Sequence, residues 1–464
     1  MHNKKTRPNA TKLGVELLED RTVPTVFAPT QGESLAVGDV IPGNSQDPSG
    51  SDYEYVTGSG PGQLGTVQVF DSDGNLKYKL TPFANYTGGV FVTIGEVTGN
   101  LTSPARVSSA TMNGGGVVTV NTTIAHGFTV GQTVQLDNVA AFDAMGVLVY
   151  RYDGTFTITD VTGPFSFEYI TSPPFMLPPT GFGGTAGVYQ KDIIVSTAAG
   201  ATGRVRVYEF TNNQLRSQSL FMPFGPNYVG GIQVTTGDVT GDFHKEIIVG
   251  QQTNGSVVKA YSVDPASSGR TYFQTRKFQA FEAGYKGGVS LAATNIDETQ
   301  STVTYDYDYS EIIVGRAKDF PLLKIFDAQQ PTVTVRAQYL AFDPNISAST
   351  KGINVAAGNT DGLRGGEIYV SLRDSTSVRI FDGQTGVALG NFDIPYPVSF
   401  GRNLELTIND LCDVLAPGSS SVSYSSLFTD LFSVASDGPY IQIPIVFPGQ
   451  YFSAAGLNGS HAAP

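Results

Sequence analysis

The sequence predicts an all-β fold built by repetition, and three observations predict it. First, the 464 residues include 54 glycines and 26 prolines, with only 15% charged residues. That composition punctuates short strands more readily than it builds helices. Second, apolar and polar residues alternate with period two over short runs bounded by turn residues, as in Thr66–Phe70 followed by Asp71-Ser72-Asp73-Gly74. Third, one unit recurs. It is most complete at Gly231–Gly250, where Ile232, Val234 and Thr236 alternate into an Asp/Gly turn and the apolar run Ile247–Val249 leaves it.

Taken in order, the copies are unequal. Residues 1–30 form a leader or linker, and Ser34–Val40 opens a degenerate first copy. Tyr53–Gly58, Thr66–Phe70 and Leu76–Phe83 follow it as further short strands. The second copy starts at Gly89–Asn100, but its return strand, Asp192–Val195, comes only after a long interruption. The third is Gly231–Gly250 with Val257–Tyr261. The fourth joins Val289–Ala293, Glu311–Gly315 and Leu322–Phe326, and the fifth joins Ile353–Ala357, Glu367–Val370 and Val378–Phe381. In the eroded sixth copy, Asn403–Leu411 aligns with Gly89–Val97, and Asp430–Val434 and Tyr440–Ile445 supply the next strands. Leu80–Phe83, Phe221–Phe224, Phe278–Phe281 and Tyr339–Phe342 are expected as fourth strands, their recurring aromatic packing between neighbouring units.

Acidic residues opening the second strand fall at Asp52, Asp192, Glu246, Glu311, Glu367 and Asp430, in steps of 140, 54, 65, 56 and 63. Removing residues 103–188 brings the first step into phase with the others. Each unit is then the size of a four-stranded propeller blade. The prediction is a β-propeller of about six blades over 31–102 and 189–455, with five or seven as alternatives. One small β module is inserted at 103–188, and 456–464 is a tail.

These units resemble the FG-GAP repeat of integrin α-chain N-terminal propellers, whose bacterial members read roughly Val-x-x-Gly-Asp-Val-Asn-Gly-Asp-Gly-x-x-Asp-Ile-Val-x-Gly. The match is closest in copies two to five. The resemblance implies calcium, held by oxygens at positions 1, 3, 5 and 9 of the turn. Here those positions are Asp238, Thr240, Asp242 and Glu246, and calcium accepts six to eight oxygens in flexible geometry. Phe243 in place of glycine and Thr240 in place of Asn/Asp depart from the pattern. Weaker sets are Asn295 with Asp297, and Asn359 with Asp361 and Glu367, while the insert parts Glu96, Thr98 and Asn100 from Asp192. The competing reading is that Asp and Asn merely cap their own turns. It is favoured everywhere except 238–246, where both readings stay open.

Within the insert, Ala125–Leu136 contains His-Gly-Phe-Thr-Val-Gly-Gln-Thr-Val. This resembles a small barrel-like module of phage tail and bacterial surface proteins, found also as a non-catalytic half-domain in ubiquitin-activating enzymes. His126 is expected to stabilise a turn rather than bind a ligand. Because the module interrupts the turn between two strands of one blade, it should project from one face of the disc. Near the N-terminus, Leu17-Leu18-Glu19-Asp20-Arg21-Thr22-Val23-Pro24 resembles the leader of planctomycete surface and secreted proteins, which implies export.

The formal charge of −13 disfavours nucleic acid and anionic membranes as partners. No run is long enough for a transmembrane helix. Four scattered histidines and the single Cys412 give no ligand spacing and no intramolecular disulfide. No Gly-x-Ser-x-Gly, His-Glu-x-x-His or paired-histidine motif is present. The expected function is therefore a monomeric, non-enzymatic, secreted or cell-surface propeller that binds an extracellular protein or glycan, with calcium at 238–246 as a candidate stabiliser. A passive structural component of an extracellular layer is the alternative, and a propeller-based glycan lyase or hydrolase is less favoured.

Overall fold

The computed structural model describes residues 32–41, 54–71, 74–99, 101–128, 130, 132–142, 145–171, 177–211, 214–218, 220–241, 244–264, 271–296, 309–345, 352–358, 365–373, 375, 377–393, 404–408, 430–435 and 440–444. Asp52 and the expected leader lie outside them.

Five antiparallel sheets each have four strands. Sheet 1 is Gly32–Gly38, Glu54–Ser59, Val67–Phe70 and Leu76–Leu80, and sheet 2 is Val90–Gly95, Asp192–Thr197, Val205–Thr211 and Gln214–Ser217. Sheet 3 is Ile232–Gly237, Glu246–Gln251, Val257–Asp264 and Thr271–Gln279. Sheet 4 is Val289–Thr294, Glu311–Arg316, Leu322–Asp327 and Thr334–Leu340, and sheet 5 is Ile353–Gly358, Glu367–Leu372, Ser377–Asp382 and Ala388–Asp393. A sixth sheet has three described strands, Leu404–Ile408, Asp430–Ala435 and Tyr440–Pro444. The first strands of successive sheets are neighbours, and that of the sixth also approaches that of the first. The arrangement is propeller-like.

Burial explains why second strands read as unbroken apolar runs. Ile193, Ile194, Val195, Ile247, Ile248, Val249, Ile312, Ile313 and Val314 are all fully buried, because each second strand is covered on both faces by the adjoining sheets. Separate cores lie between sheets 1 and 2, 2 and 3, 3 and 4, and 4 and 5. The fourth strands are the outermost of each sheet, and those of sheets 1 to 4 are mostly exposed.

The predicted fourth strands are misplaced. They end at Leu80, Ser217, Gln279 and Leu340, so Phe83, Phe224, Phe281 and Phe342 fall in the turns that follow. The expected packing role holds, since Phe83 and Tyr86 join the core between sheets 1 and 2, and Phe281 and Tyr285 that between sheets 3 and 4. The tyrosine then crosses to the next sheet. Tyr228 Oη donates to the carbonyls of Gly231 (3.0 Å) and Thr253 (2.7 Å), and Tyr285 Oη to those of Gly288 (2.9 Å) and Lys318 (3.2 Å). A glycine precedes the first strand at Gly89, Gly231, Gly288 and Gly352, each with φ between 78° and 90°. Only glycine adopts this conformation freely, and a Cβ on Gly288 would lie 1.7 Å from the Gln252 carbonyl oxygen of the preceding sheet.

The insert is a closed six-stranded barrel of Leu101–Met112, Val117–Thr122, Thr133–Asp137, Gly154–Gly163, Ser166–Ile170 and Thr185–Tyr189. It has its own core, which includes Val120, Leu136, Ile158, Phe167 and Tyr169. A hairpin, Ala140–Phe142 with Leu148–Arg151, stands beside it. The barrel occupies the turn between the first two strands of sheet 2, as expected. At its exit, Gln190 Nε2 donates to the Val40 carbonyl at 3.0 Å and ties the barrel to sheet 1.

Candidate functional site

The described ends of the turns joining first and second strands in sheets 2 to 5 form one edge. They are linked in succession by the Lys245 amide to the Glu96 carbonyl (3.0 Å), the Ser310 amide to the Asp238 carbonyl (2.7 Å) and the Gly366 amide to the Asn295 carbonyl (2.8 Å). The barrel leaves sheet 2 from that edge. In sheets 1 to 4 the turn is held by the carboxylate that opens the second strand. In sheet 1 that residue is Glu54, not Asp52. Its Oε2 accepts the amides of Val40 (2.8 Å) and Ile41 (3.1 Å), and the residue is fully buried. In sheet 2, Asp192 Oδ2 accepts the amides of Val97 and Thr98, both at 3.0 Å, and the Thr98 hydroxyl at 2.9 Å. The turn that the insert parts in sequence is thus rejoined in space across 95 residues. In sheet 4, Glu311 Oε2 accepts the Ile296 amide at 3.0 Å, while Oε1 pairs with Arg336 at 3.1 Å.

The best predicted metal turn follows the same plan. Asp238 Oδ1 accepts the amides of Thr240 (3.2 Å) and Gly241 (2.6 Å), an Asx turn that uses the positive φ of Gly241. Glu246 Oε2 accepts the Val239 amide at 2.9 Å. Its Oε1 accepts the hydroxyls of Thr240 (3.0 Å) and Ser262 (2.7 Å). The structure therefore does bring Asp238, Thr240 and Glu246 together. Three of their four carboxylate oxygens accept hydrogens from the chain. Asp242, Asp297, Asn359 and Asp361 lie outside the described residues. Asn295 offers its carbonyl to the Gly366 amide at 2.8 Å, and Glu367 is buried at the start of its strand. Among the described residues no group of three or more His, Cys, Asp or Glu side chains is placed to hold a metal ion.

Burial sets the electrostatics of this edge. Desolvation pushes the Asp192 carboxyl up to about 8, against the pull of its Val97 and Thr98 hydrogen bonds and with a further push from the charge of Glu209. Burial likewise raises Glu96, while Lys245 and Lys191 act to lower it and Asp238 to raise it. These lysines line one end of a cavity of about 140 Å³ on the disc axis, enclosed by first strands and including Thr93, Gln233 and Thr235.

His126 has the turn-stabilising role expected of it. Its Nδ1 accepts the Phe128 amide at 2.9 Å, and its Nε2 donates to the Gly163 carbonyl at 3.1 Å. Those partners define the neutral tautomer with the proton on Nε2. The ring packs against Phe128 and Phe167.

Sequence reasoning missed Glu54 and Ser262. It also missed the tyrosine that follows each turn phenylalanine, although the pattern Phe-x-x-Tyr-x-Gly-Gly at 83–89 and its longer forms at 224–231 and 281–288 carry the signal.

No family model matches this chain, and no curated protein matches it. Solved structures of similar arrangement include Sqt1 from Saccharomyces cerevisiae, at 11% identity and TM-score 0.36, covering 91% of this chain and 98% of that one. Sqt1 from Chaetomium thermophilum aligns at 10% identity and TM-score 0.37, over 90% of this chain and 86% of that one. The WD40 domain of Toxoplasma gondii coronin aligns at 10% identity and TM-score 0.36, over 92% and 84%. Among the described residues no helix is long and apolar enough to cross a membrane.

Proposed function

We propose that this chain is a non-enzymatic propeller of six blades, of the FG-GAP kind, exported to the cell surface or beyond, where it binds a protein or glycan partner. The observation that carries the reading is the commitment of the buried carboxylates. Glu54, Asp192, Glu246 and Glu311 spend their oxygens on the turns of their own sheets. A catalytic acid or base needs a free oxygen within reach of its substrate, and these acids serve the frame instead. What remains for recognition is the set of turns on that edge and the barrel rising among them, the kind of loop surface that a rigid scaffold presents.

The six-blade count is supported by the approach of the Leu404–Ile408 strand to Gly32–Gly38. Calcium is proposed to be dispensable, since the turn at 238–246 closes with the chain's own donors. The test is saturable binding of the full chain to an array of glycans and to separated cell-envelope proteins. A partner released by excess unlabelled chain supports the reading. Turnover of chromogenic glycosides, or no saturable partner in either set, overturns it.

A further inference from the structure

The axial cavity of about 140 Å³ has polar walls for a reason of topology. Each first strand of sheets 1 to 5 is hydrogen-bonded to a neighbouring strand on one side only, so its other edge turns amides and carbonyls toward the axis. Hydroxyls of adjoining sheets satisfy part of that edge. Ser34 Oγ accepts the Val92 amide at 3.0 Å, Ser290 Oγ accepts the Val355 amide at 3.0 Å, and Thr236 Oγ1 donates to the Ile94 carbonyl at 2.9 Å. Thr93, Gln233 and Thr235 take no part in this. They line the cavity half-buried, while their strand neighbours Val92, Val234 and Thr236 are buried. Among the described residues their side chains have no hydrogen-bond partner.

Charge lies at one end. Among the described residues lining the cavity, the only ionisable ones are Lys191 and Lys245. Each directly precedes the acid that opens the second strand of its sheet, where sheets 4 and 5 have Ser310 and Gly366. The pair is therefore a feature of sheets 2 and 3 and not of the repeat. Two acids stand close by, since Glu96 feels both lysines and Asp238, but neither acid lines the cavity. Asp238 Oδ1 is committed to its own turn, and burial disfavours the charged form of Glu96, which weakens it as a counter-ion. A ligand in the cavity thus meets two cations and no carboxylate.

We propose that the axial cavity binds a small hydroxylated carboxylate, a single-ring sugar acid. The two ammonium groups act as point charges on its carboxylate. The hydroxyls of Thr93 and Thr235 and the amide of Gln233 can each donate and accept, which suits the ligand's hydroxyl groups and gives a second charge no cation to meet. The volume lies below the roughly 300–1,000 Å³ of pockets for drug-sized molecules, so one sugar ring is accommodated and a chain is not. This site is inside the disc, apart from the turns and barrel proposed to meet the partner, and does not rest on that reading.

Isothermal titration calorimetry of the full chain with glucuronate, beside glucose and inorganic phosphate, tests it. The variants are the double Lys191→Gln/Lys245→Gln, Thr235→Val, and a control at an exposed lysine away from the cavity, Lys286→Gln. The expected result is saturable binding of glucuronate by the parent and by Lys286→Gln. Affinity should fall about tenfold or more in the double variant and about threefold in Thr235→Val, which keeps both charges and the side-chain shape. Should the double variant fail to fold, Thr235→Val decides. No binding, equal affinity for glucose or for phosphate, or parent-like affinity in Thr235→Val overturns the proposal. Binding of the larger partner should be unchanged in Thr235→Val, so failure of this site and failure of the proposed function are distinguishable.

Discussion

Replacing Glu246 separates a structural latch from a metal ligand. In Glu246→Ala, one buried amide (Val239) and two hydroxyls (Thr240, Ser262) lose their acceptor at 2.9, 3.0 and 2.7 Å. Leaving a buried donor unmet costs about 1–3 kcal/mol, and the hydroxyls can turn to other acceptors, so a loss of about 3–5 kcal/mol is expected. Glu246→Gln keeps one oxygen for the Val239 amide and points an NH₂ at hydroxyls that can reverse and accept. It should lose only the charge-assisted part, about 1–2 kcal/mol. Urea denaturation of the full chain gives both differences, and amide exchange at Val239 localises them. Protection there should survive in the Gln variant and vanish in the Ala variant. Equal losses in the two variants, appearing in calcium and absent in EDTA, would refute the latch, because a glutamine then fails as a calcium ligand as badly as an alanine.

Three further outcomes follow from the same frame. Gly288→Ala combines a φ of 87° with a Cβ placed 1.7 Å from a backbone oxygen. It should cost about 3–5 kcal/mol in urea denaturation, well above the ~1 kcal/mol of an ordinary surface change. Tyr285→Phe removes a hydroxyl that reaches two carbonyls of the next sheet and should cost about 1–2 kcal/mol, with faster exchange of the neighbouring Lys318 amide, which donates to that hydroxyl at 3.1 Å. Asp192 carries the pH dependence: its folded-state value of about 8 exceeds the ordinary 3.8, so the native state binds the extra proton between them. Stability from this group is fully present below about pH 4 and declines as pH rises toward 8, and Asp192→Asn should flatten that slope in denaturation series at fixed pH.

The repeat was legible because burial leaves a mark on sequence. Second strands covered on both faces must be continuous apolar runs, and Ile-Ile-Val at 193–195 and Ile-Ile-Val at 312–314 show it. Asp52 was mistaken for Glu54 because residues two apart share a face of a strand, so alternation cannot tell which of the two acids enters the core. Phe83 and Phe281 read as strand because their apolar pattern runs on past the strand end, although what buries them is the next sheet. The metal turn was ambiguous for a deeper reason. The Asp, Thr and Glu spacing that encircles a cation is the same spacing that collects backbone amides, and the Ser262 hydroxyl that donates to Glu246 lies 16 residues away, outside any turn motif. The repeat phase places Asp192 in the same unit as Thr98, but the hydrogen bond between them across the inserted barrel is legible only in the structure.

Thermal unfolding of the full chain in excess calcium and again in EDTA tests most directly the claim that the acidic turns belong to the frame. A cation bound only by the folded state at a hundred times its Kd would add about 2.7 kcal/mol per site. The account predicts coincident curves, with Asp238→Ala lowering both equally. A calcium-dependent rise that disappears in Asp238→Ala would contradict it and restore the turn at 238–246 as a metal site.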